Sequence, residues 1–168
     1  SFGQGLAVTP LQMITSVSAI ANDGVIMQPY MVQERHTANG EVFVHQPTVL
    51  SRPISAETAE TLSAMAVTVV ARGLDAATVE GYTVAGKSGT AQIPVNGIYD
   101  PVNVIASFIG WVPADEPELL VFVILNKPTT AYWGSQTAAP VFSELISELV
   151  VMMDIRLQAE IAAARGQN

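Results

Sequence analysis

Apolar residues recur at helical spacing in three stretches of the chain and form short dense runs between the second and third. Thr9, Pro10 and Gln12 supply an N-cap, a proline at the first helical position and a capping-box partner three residues on, so a helix starts there. Leu11, Ile14, Val17, Ser18 and Ala21 keep its period, and Asn22-Asp23-Gly24 stops it. Ser55 caps a second helix with Glu57 in its first turn. Its apolar stripe is Ala59, Leu62, Met65, Ala66, Val69 and Val70, and it closes at Gly73. A third helix is predicted over Ala138 to Met153, with Val141, Phe142, Leu145, Ile146, Leu149 and Val150 toward a sheet. Met65, Met152 and Met153 read most simply as core.

Strand signals fill the remainder. Tyr30 to Thr37 and Glu41 to His45 flank Ala38-Asn39-Gly40, whose Asn-Gly pair is the residue choice of a two-residue hairpin turn. Three further runs follow: Tyr82 to Ile93, Val104 to Val112 and Leu119 to Asn126. The short connection Pro113 to Pro117 makes the last two an antiparallel pair. The run Leu119 to Leu125 is apolar on both faces, which requires a sheet covered on both sides. The class is therefore α/β in the broad sense, or α+β: an antiparallel sheet flanked by helices.

Composition then raises a question. Of 168 residues 49% are hydrophobic and 13% charged, against about 25% charged in ordinary soluble domains, and the mean hydropathy is +0.37. A chain this long buries about two thirds of its unfolded surface, so disorder is excluded. The shortage of charge points to a missing partner or an unusually buried chain. A net charge of −8 excludes an electrostatic grip on nucleic acid or on an anionic membrane surface. The absence of cysteine excludes disulfides, thiolate catalysis and cysteine-ligated metals. The longest apolar run is far short of the roughly 20 residues that span a bilayer. Ser1 to Gly5 carry neither an initiator Met nor a signal-peptide pattern, and the chain reads as one that begins partway through a longer sequence.

Candidate chemistry concentrates in Lys87-Ser88-Gly89-Thr90. Strand alternation puts Lys87 and Gly89 on one face and Ser88 and Thr90 on the other, with Gly86 and Gly89 leaving the backbone open to close approach. A peptide added along this edge would meet a cation and two hydroxyls suited to a carboxylate. Taken alone, four residues of this kind read more simply as an edge-strand lysine with ordinary glycine bulges, a device against aggregation. His36 and His45 have no carboxylate cluster at a metal-binding spacing and read as solvent-facing structural residues. Trp133 reads either as a ring stacking on a peptide or as loop packing. Asp115, Glu116 and Glu118 read as a solvated turn.

The context of the tetrapeptide favours the first reading. Gly81-Tyr82-Thr83-Val84-Ala85-Gly86-Lys87-Ser88-Gly89-Thr90-Ala91-Gln92 closely resembles the third signature motif of the penicillin-binding proteins, in its Lys-Ser-Gly variant. Ser1-Phe2-Gly3-Gln4-Gly5-Leu6-Ala7-Val8-Thr9-Pro10-Leu11-Gln12 resembles a segment that class B members of that family carry between their second and third motifs. Two more matches follow in order: Ala106 to Asp115, and Tyr132-Trp133-Gly134-Ser135-Gln136-Thr137-Ala138-Ala139-Pro140-Val141-Phe142. The family's nucleophile motif, Ser-x-x-Lys, is absent, because Val84 and Ile124 stand three residues before the two lysines, and no Ser-x-Asn occurs.

The resemblance implies the penicillin-binding-protein and serine β-lactamase-like transpeptidase fold, of which residues 1–153 are the carboxyl-terminal part, with three of five sheet strands. Residues 154–168 form a polar tail, a helix extension or disordered. It implies a D,D-transpeptidase that cross-links cell-wall peptidoglycan by serine acyl transfer on D-Ala-D-Ala stem peptides. This chain alone is expected to be inactive without the missing amino-terminal half. By the same resemblance Lys87 joins the hydrogen-bond network of the second-motif serine, Ser88, Gly89 and Thr90 hold the substrate or β-lactam carboxylate, and the Thr90 N–H is one oxyanion-hole donor. Gln92 and Asn96-Gly97-Ile98-Tyr99 shape the cleft. No metal and no cofactor are implied. The parent protein is expected on the extracytoplasmic face of the bacterial cytoplasmic membrane, anchored by a segment outside this chain. The alternatives are a non-catalytic peptidoglycan-binding module or a structural domain. The Leu119 to Asn126 strand is expected to be exposed or covered by another chain.

Overall fold

Thr9 begins the first helix as its sequence dictates. In the computed structural model, which describes residues 4–157 and 159, helix α1 spans Pro10–Ala21 and carries both halves of the capping box. The Gln12 N–H donates to Thr9 Oγ1 at 3.2 Å and the Thr9 N–H donates to Gln12 Oε1 at 2.9 Å. The helix stops where Asp23 and Gly24 turn left-handed. A side chain at Gly24 would collide with the Ile54 carbonyl, so this glycine also lets the chain return past α1.

Residues 26–51 form two small antiparallel ribbons. Strand β1 (Ile26–Met27) pairs with β4 (Val49–Ser51), and β2 (Glu34–His36) with β3 (Val42–Val44). The expected hairpin exists, but its strands are shorter and its turn differs. Gly40 alone is left-handed, its N–H donates to Thr37 O at 3.0 Å, and the Thr37 N–H donates to Glu41 O at 2.9 Å. A two-residue turn of the Asn-Gly kind needs both residues left-handed; here a three-residue loop with a glycine bulge forms instead. Tyr30, Met31, Val42, Phe43 and Val44 stay exposed on this arm.

Helix α2 spans Ala56–Gly73 with the Ser55 hydroxyl accepting the Thr58 N–H. The face it buries is Ala59, Ala66, Val67 and Val70. Leu62, Met65 and Val69 of the predicted stripe lie on the outer side, with Met65 59% exposed. Met152 and Met153 are likewise exposed, so none of the three methionines read as core belongs to it.

Beyond a short 3-10 turn at Asp75–Ala77 come three antiparallel strands in the order β5-β6-β7: Ala85–Val95, Ile98–Val112 and Leu119–Asn126. Strand β6 starts six residues before Val104, the expected boundary, because Asn96 and Gly97 are both left-handed and close a two-residue turn between Val95 and Ile98. The chain's tight Asn-Gly turn is therefore here. Helix α3 (Gly134–Met152) starts four residues earlier than its apolar period announces. It buries Phe142, Ile146 and Val150 against the sheet, while Val141 and Leu145 remain outside.

The sheet lies between two cores. On the α3 face Phe108, Val112, Phe142 and Ile146 pack together, with the Phe108 and Phe142 rings 4.7 Å apart. On the other face Ala85, Trp111 and Ala114 meet Val17 and Ile20 of α1 and Ala66 and Val67 of α2. Leu119 to Leu125 is thus covered on both faces near its start, but Ile124 is 37% exposed where α1 no longer covers it. Strand β7 has β6 on one side and ends the sheet on the other.

Past Met152 the chain leaves the helix line at a left-handed Asp154. Ile155 returns to the first core, Tyr82 Oη donates to the Ile155 carbonyl at 2.7 Å, and Arg156 pairs with Glu116 at 3.0 Å. The acidic turn is thus tied to the tail rather than merely solvated. The rest of the tail, apart from Leu157 and Ala159, lies outside the described residues, as does Ser1 to Gly3. No helix among the described residues is long and apolar enough to cross a membrane.

Candidate active site

Strand β5 forms one edge of the sheet, and register fixes which of its groups face outward. The Lys127 N–H donates to Val104 O at 2.9 Å, so Val104 turns its backbone polar groups toward β7. Successive residues of an antiparallel strand turn theirs to opposite sides. Ile105, Ser107, Ile109 and Trp111 therefore face β5, opposite Ala91, Gly89, Lys87 and Ala85. The intervening Gly86, Ser88 and Thr90 direct their N–H and C=O groups out of the free edge. Consistent with this, the Lys87 ammonium donates to the Ser88 carbonyl at 2.7 Å.

Side chains alternate across the sheet as the sequence pattern predicts. Lys87 and Gly89 share the face of α1 and α2, but lie beyond the helices' cover, and Lys87 is exposed. A side chain at Gly89 would displace the Ser107 hydroxyl, and one at Gly86 would strike the Phe108 ring. Ser88 and Thr90 are half-buried on the α3 face. Thr90 Oγ1 accepts the Gly134 N–H at 2.9 Å, so one lone pair of that hydroxyl is committed while its proton is available to donate.

Around this edge the chain gathers distant residues. The Gln4 carboxamide donates to Gln92 Oε1 at 3.3 Å, and Gly5 approaches the Tyr99 hydroxyl. Trp133 precedes Gly134 as the N-cap of α3, is 55% exposed and meets Tyr132 edge-on at 5.0 Å. The strand pair extends past the Lys-Ser-Gly segment to the Asn96-Gly97 turn. Opposite Ile93, residues Asp100 to Asn103 bulge out of register. Asp100 organises the bulge: its carboxylate accepts the Asn103 side-chain amide at 2.7 Å and the backbone N–H groups of Val102 and Asn103. These bonds, the Asn103 amide foremost, hold its pKa below the ordinary carboxylate value, with desolvation opposing and the Lys127 charge assisting.

Other candidate positions fall away from this edge. His36 is exposed and pairs with Glu34 at 2.8 Å. His45 departs from its expected solvent-facing role: its ring stacks on Tyr30 at 3.9 Å and its Nε2 is buried without a partner among the described residues. No group of metal-ligating side chains occurs among the described residues. A cavity of about 700 Å³ opens between the end of α1, α2 and the β6–β7 connection. Asp23, Glu57, Glu60 and Asp115 line it, a set that repels a carboxylate substrate.

Sequence reasoning assigned no role to Gln4 or Gly134, although both lie in matched segments. The one signal for Gly134 in the sequence is a glycine shortly before an apolar helical period, and its contact with the sheet is what reveals its place.

Fold and site together define a helix-flanked antiparallel sheet whose free edge carries a lysine, two hydroxyls and outward-facing backbone donors. The sequence pattern of the penicillin-binding protein transpeptidase domain matches residues 1–147, and the chain belongs to that family. It is 37% identical over 160 residues to stage V sporulation protein D of Bacillus subtilis, covering 93% of this chain and 25% of that protein. It is 36% identical over 170 residues to penicillin-binding protein PbpB of Mycolicibacterium smegmatis, covering 94% and 26%. A crystal structure of penicillin-binding protein 3 from Mycobacterium tuberculosis complexed with ampicillin superposes with a TM-score of 0.81 at 34% identity, over 92% of this chain and 37% of that one. The transpeptidase domain of Burkholderia pseudomallei penicillin-binding protein 3 gives 0.78 at 32% identity, over 93% and 46%. The chain thus spans about a quarter of the length of these curated relatives, and its structure is part of the transpeptidase fold.

Proposed function

We propose that this chain is the carboxyl-terminal part, residues 1–153, of the catalytic domain of a peptidoglycan D,D-transpeptidase. It supplies three strands of a five-stranded sheet, and the remainder of the domain supplies the nucleophilic serine, its lysine and the Ser-x-Asn motif. The reaction is acyl transfer. The serine oxygen bonds to the carbonyl carbon between the two D-Ala residues, the amide C–N bond breaks and the terminal D-Ala leaves with a proton. The amine of a neighbouring stem peptide then displaces the serine. A β-lactam enters the same path and stops at the acyl-enzyme.

Each residue of the edge has a task in this reading, and Thr90 has two. The Thr90 N–H donates to the oxyanion as it forms, a kind of contact whose removal costs about 100- to 1,000-fold in rate. The Ser88 and Thr90 hydroxyls donate to the substrate carboxylate, with Gly89 keeping the strand open to it. Lys87 adds positive potential on the neighbouring face, beside the second-motif serine. Gln92 and the Asn96-Gly97-Ile98-Tyr99 turn line the approach, and Trp133 offers a ring to the peptide. The observation that carries the reading is the orientation of Thr90, whose N–H leaves the sheet at the free edge while its own hydroxyl and that of Ser88, two residues before it, are the candidate carboxylate donors. The parent protein works at the outer face of the bacterial cytoplasmic membrane, where peptidoglycan is cross-linked.

Labelling with a fluorescent penicillin tests this. The isolated chain stays dark, and the polypeptide that joins it to its upstream sequence is labelled. Label on residues 1–168 alone, or none on the joined polypeptide, overturns the proposal. The absence of Ser-x-x-Lys from these residues favours a second reading, a module that holds stem peptides without turning them over; calorimetry showing D-Ala-D-Ala peptide binding without acylation would favour it.

A further inference from the structure

We infer that Gly134 is a positioning residue for the acylation edge, acting through Thr90; the inference rests on the transpeptidase reading above. Helix α3 begins at Gly134, directly against the sheet. A Cβ built at this position falls far closer than 3.0 Å to the carbonyl oxygens of both Gly89 and Ser107, two backbone atoms in paired positions of β5 and β6, so a side chain here forces the helix start and the strand pair apart. Glycine here is a requirement of distance and not of backbone angle, since its φ lies outside the left-handed set.

That close approach has a product. The first helical N–H groups have no intrahelical acceptor, and the N-cap, Trp133, offers no side-chain acceptor. The Gly134 N–H is instead satisfied by Thr90 Oγ1 at 2.9 Å, 44 residues away. The bond fixes the Thr90 side-chain torsion and occupies one lone pair, which leaves the hydroxyl proton to be directed elsewhere. It also ties the edge residue whose N–H faces outward to a helix anchored in the core by Phe142 and Ile146. Thr137, 7% exposed, closes the same turn by donating to the Trp133 carbonyl at 2.9 Å. An edge strand has partners on one side only and is otherwise free to flex. Gly134 therefore sets where the Thr90 N–H and hydroxyl stand before substrate arrives.

The test uses the polypeptide joined to its upstream sequence, with Gly134→Ala, Thr90→Val, which keeps volume and removes the acceptor, and Thr90→Ser, which restores it. Amide exchange at position 134 is expected to quicken at least tenfold in Thr90→Val, and Thr90→Ser returns it toward the wild-type rate. The acylation rate constant for a fluorescent penicillin is expected to fall at least tenfold in Gly134→Ala and Thr90→Val with the melting transition still cooperative, and Thr90→Ser recovers most of the loss. Unchanged exchange in Thr90→Val, or unchanged acylation in Gly134→Ala, overturns the inference. A wild-type polypeptide that takes up no penicillin while the exchange differences persist overturns the transpeptidase reading and leaves the Gly134–Thr90 coupling supported.

Discussion

Gln4 and Gln92, 88 residues apart, meet through a carboxamide hydrogen bond of 3.3 Å. The bond joins the first matched segment to the strand that carries Lys87, and so links the chain's entry to its candidate edge. A neutral, partly buried bond of this length contributes about 0.5–1.5 kcal/mol. A double-mutant cycle of Gln4→Ala and Gln92→Ala, read by denaturant unfolding, is expected to give a coupling of about 0.5–1 kcal/mol. Strict additivity would show that the two amides act independently.

Lys87 is exposed, and among the described residues its ammonium donates only to the adjacent Ser88 carbonyl. Its removal should therefore cost little stability and much acylation. Lys87→Ala in the joined polypeptide is expected to change the melting temperature by less than about 2 °C, since surface substitutions stay within roughly 0.5 kcal/mol. The penicillin acylation rate should drop on the order of 100-fold, as when another electrostatic donor is lost. Acylation at the wild-type rate would remove Lys87 from the mechanism.

The Phe108–Phe142 contact joins β6 to α3 in the core beneath the edge. Both rings are fully buried, and truncating either leaves a cavity. Phe142→Ala is expected to destabilise the fold by about 3–5 kcal/mol in chemical denaturation. A loss below about 1 kcal/mol would mean that the core closes around the space.

Asp100 makes the bulge beside the Asn96-Gly97 turn pH-dependent. Its folded pKa lies below its unfolded one, so the native state binds the proton less readily. The contribution is fully present above the unfolded value of about 3.9 and is lost as pH falls through the folded value. The Val102 and Asn103 amide resonances should titrate with a midpoint below 3.9 and lose that titration in Asp100→Asn. A midpoint at or above the ordinary value would contradict the bonds that hold the carboxylate.

Much of this fold is legible from local chemistry. Thr9, Pro10 and Gln12 specify the first helix because all three capping groups act within four residues, and Ser55 does the same for the second. The Lys87 and Ser88 faces follow from strand alternation alone. What sequence hides are choices made between elements. Both Asn39-Gly40 and Asn96-Gly97 carry the residues of a two-residue turn, but only the second lies between strands long enough to impose that twist. The outward orientation of the Thr90 N–H depends on the register with β6, which no residue of β5 encodes. Gly134 looks like a loop residue until the Gly89 and Ser107 carbonyls are seen beneath it. The apolar period of α2 cannot tell which of its two apolar sides meets the sheet, because Ala66, Val67 and Val70 bury one while Leu62, Met65 and Val69 form another.

That second side explains the low charge of the chain and sets a final prediction. Leu62, Met65 and Val69 lie three and four residues apart, so they form one stripe along exposed α2. Val141 and Leu145 do the same on α3, and Ile124 is open on the last strand. Fully burying a wholly exposed side chain of this kind is worth about 1.5–3 kcal/mol; these are 36–59% exposed, so covering each with a second copy of the chain adds roughly half of that, and several together favour association. Light scattering of residues 1–168 is expected to show self-association that grows with concentration. Met65→Lys, which places a charge at the centre of the α2 stripe without touching the sheet, should shift the chain toward monomer while its circular dichroism is unchanged. A wild-type chain that stays monomeric and monodisperse at high concentration would show that these stripes tolerate water, and that the missing charge reflects composition alone.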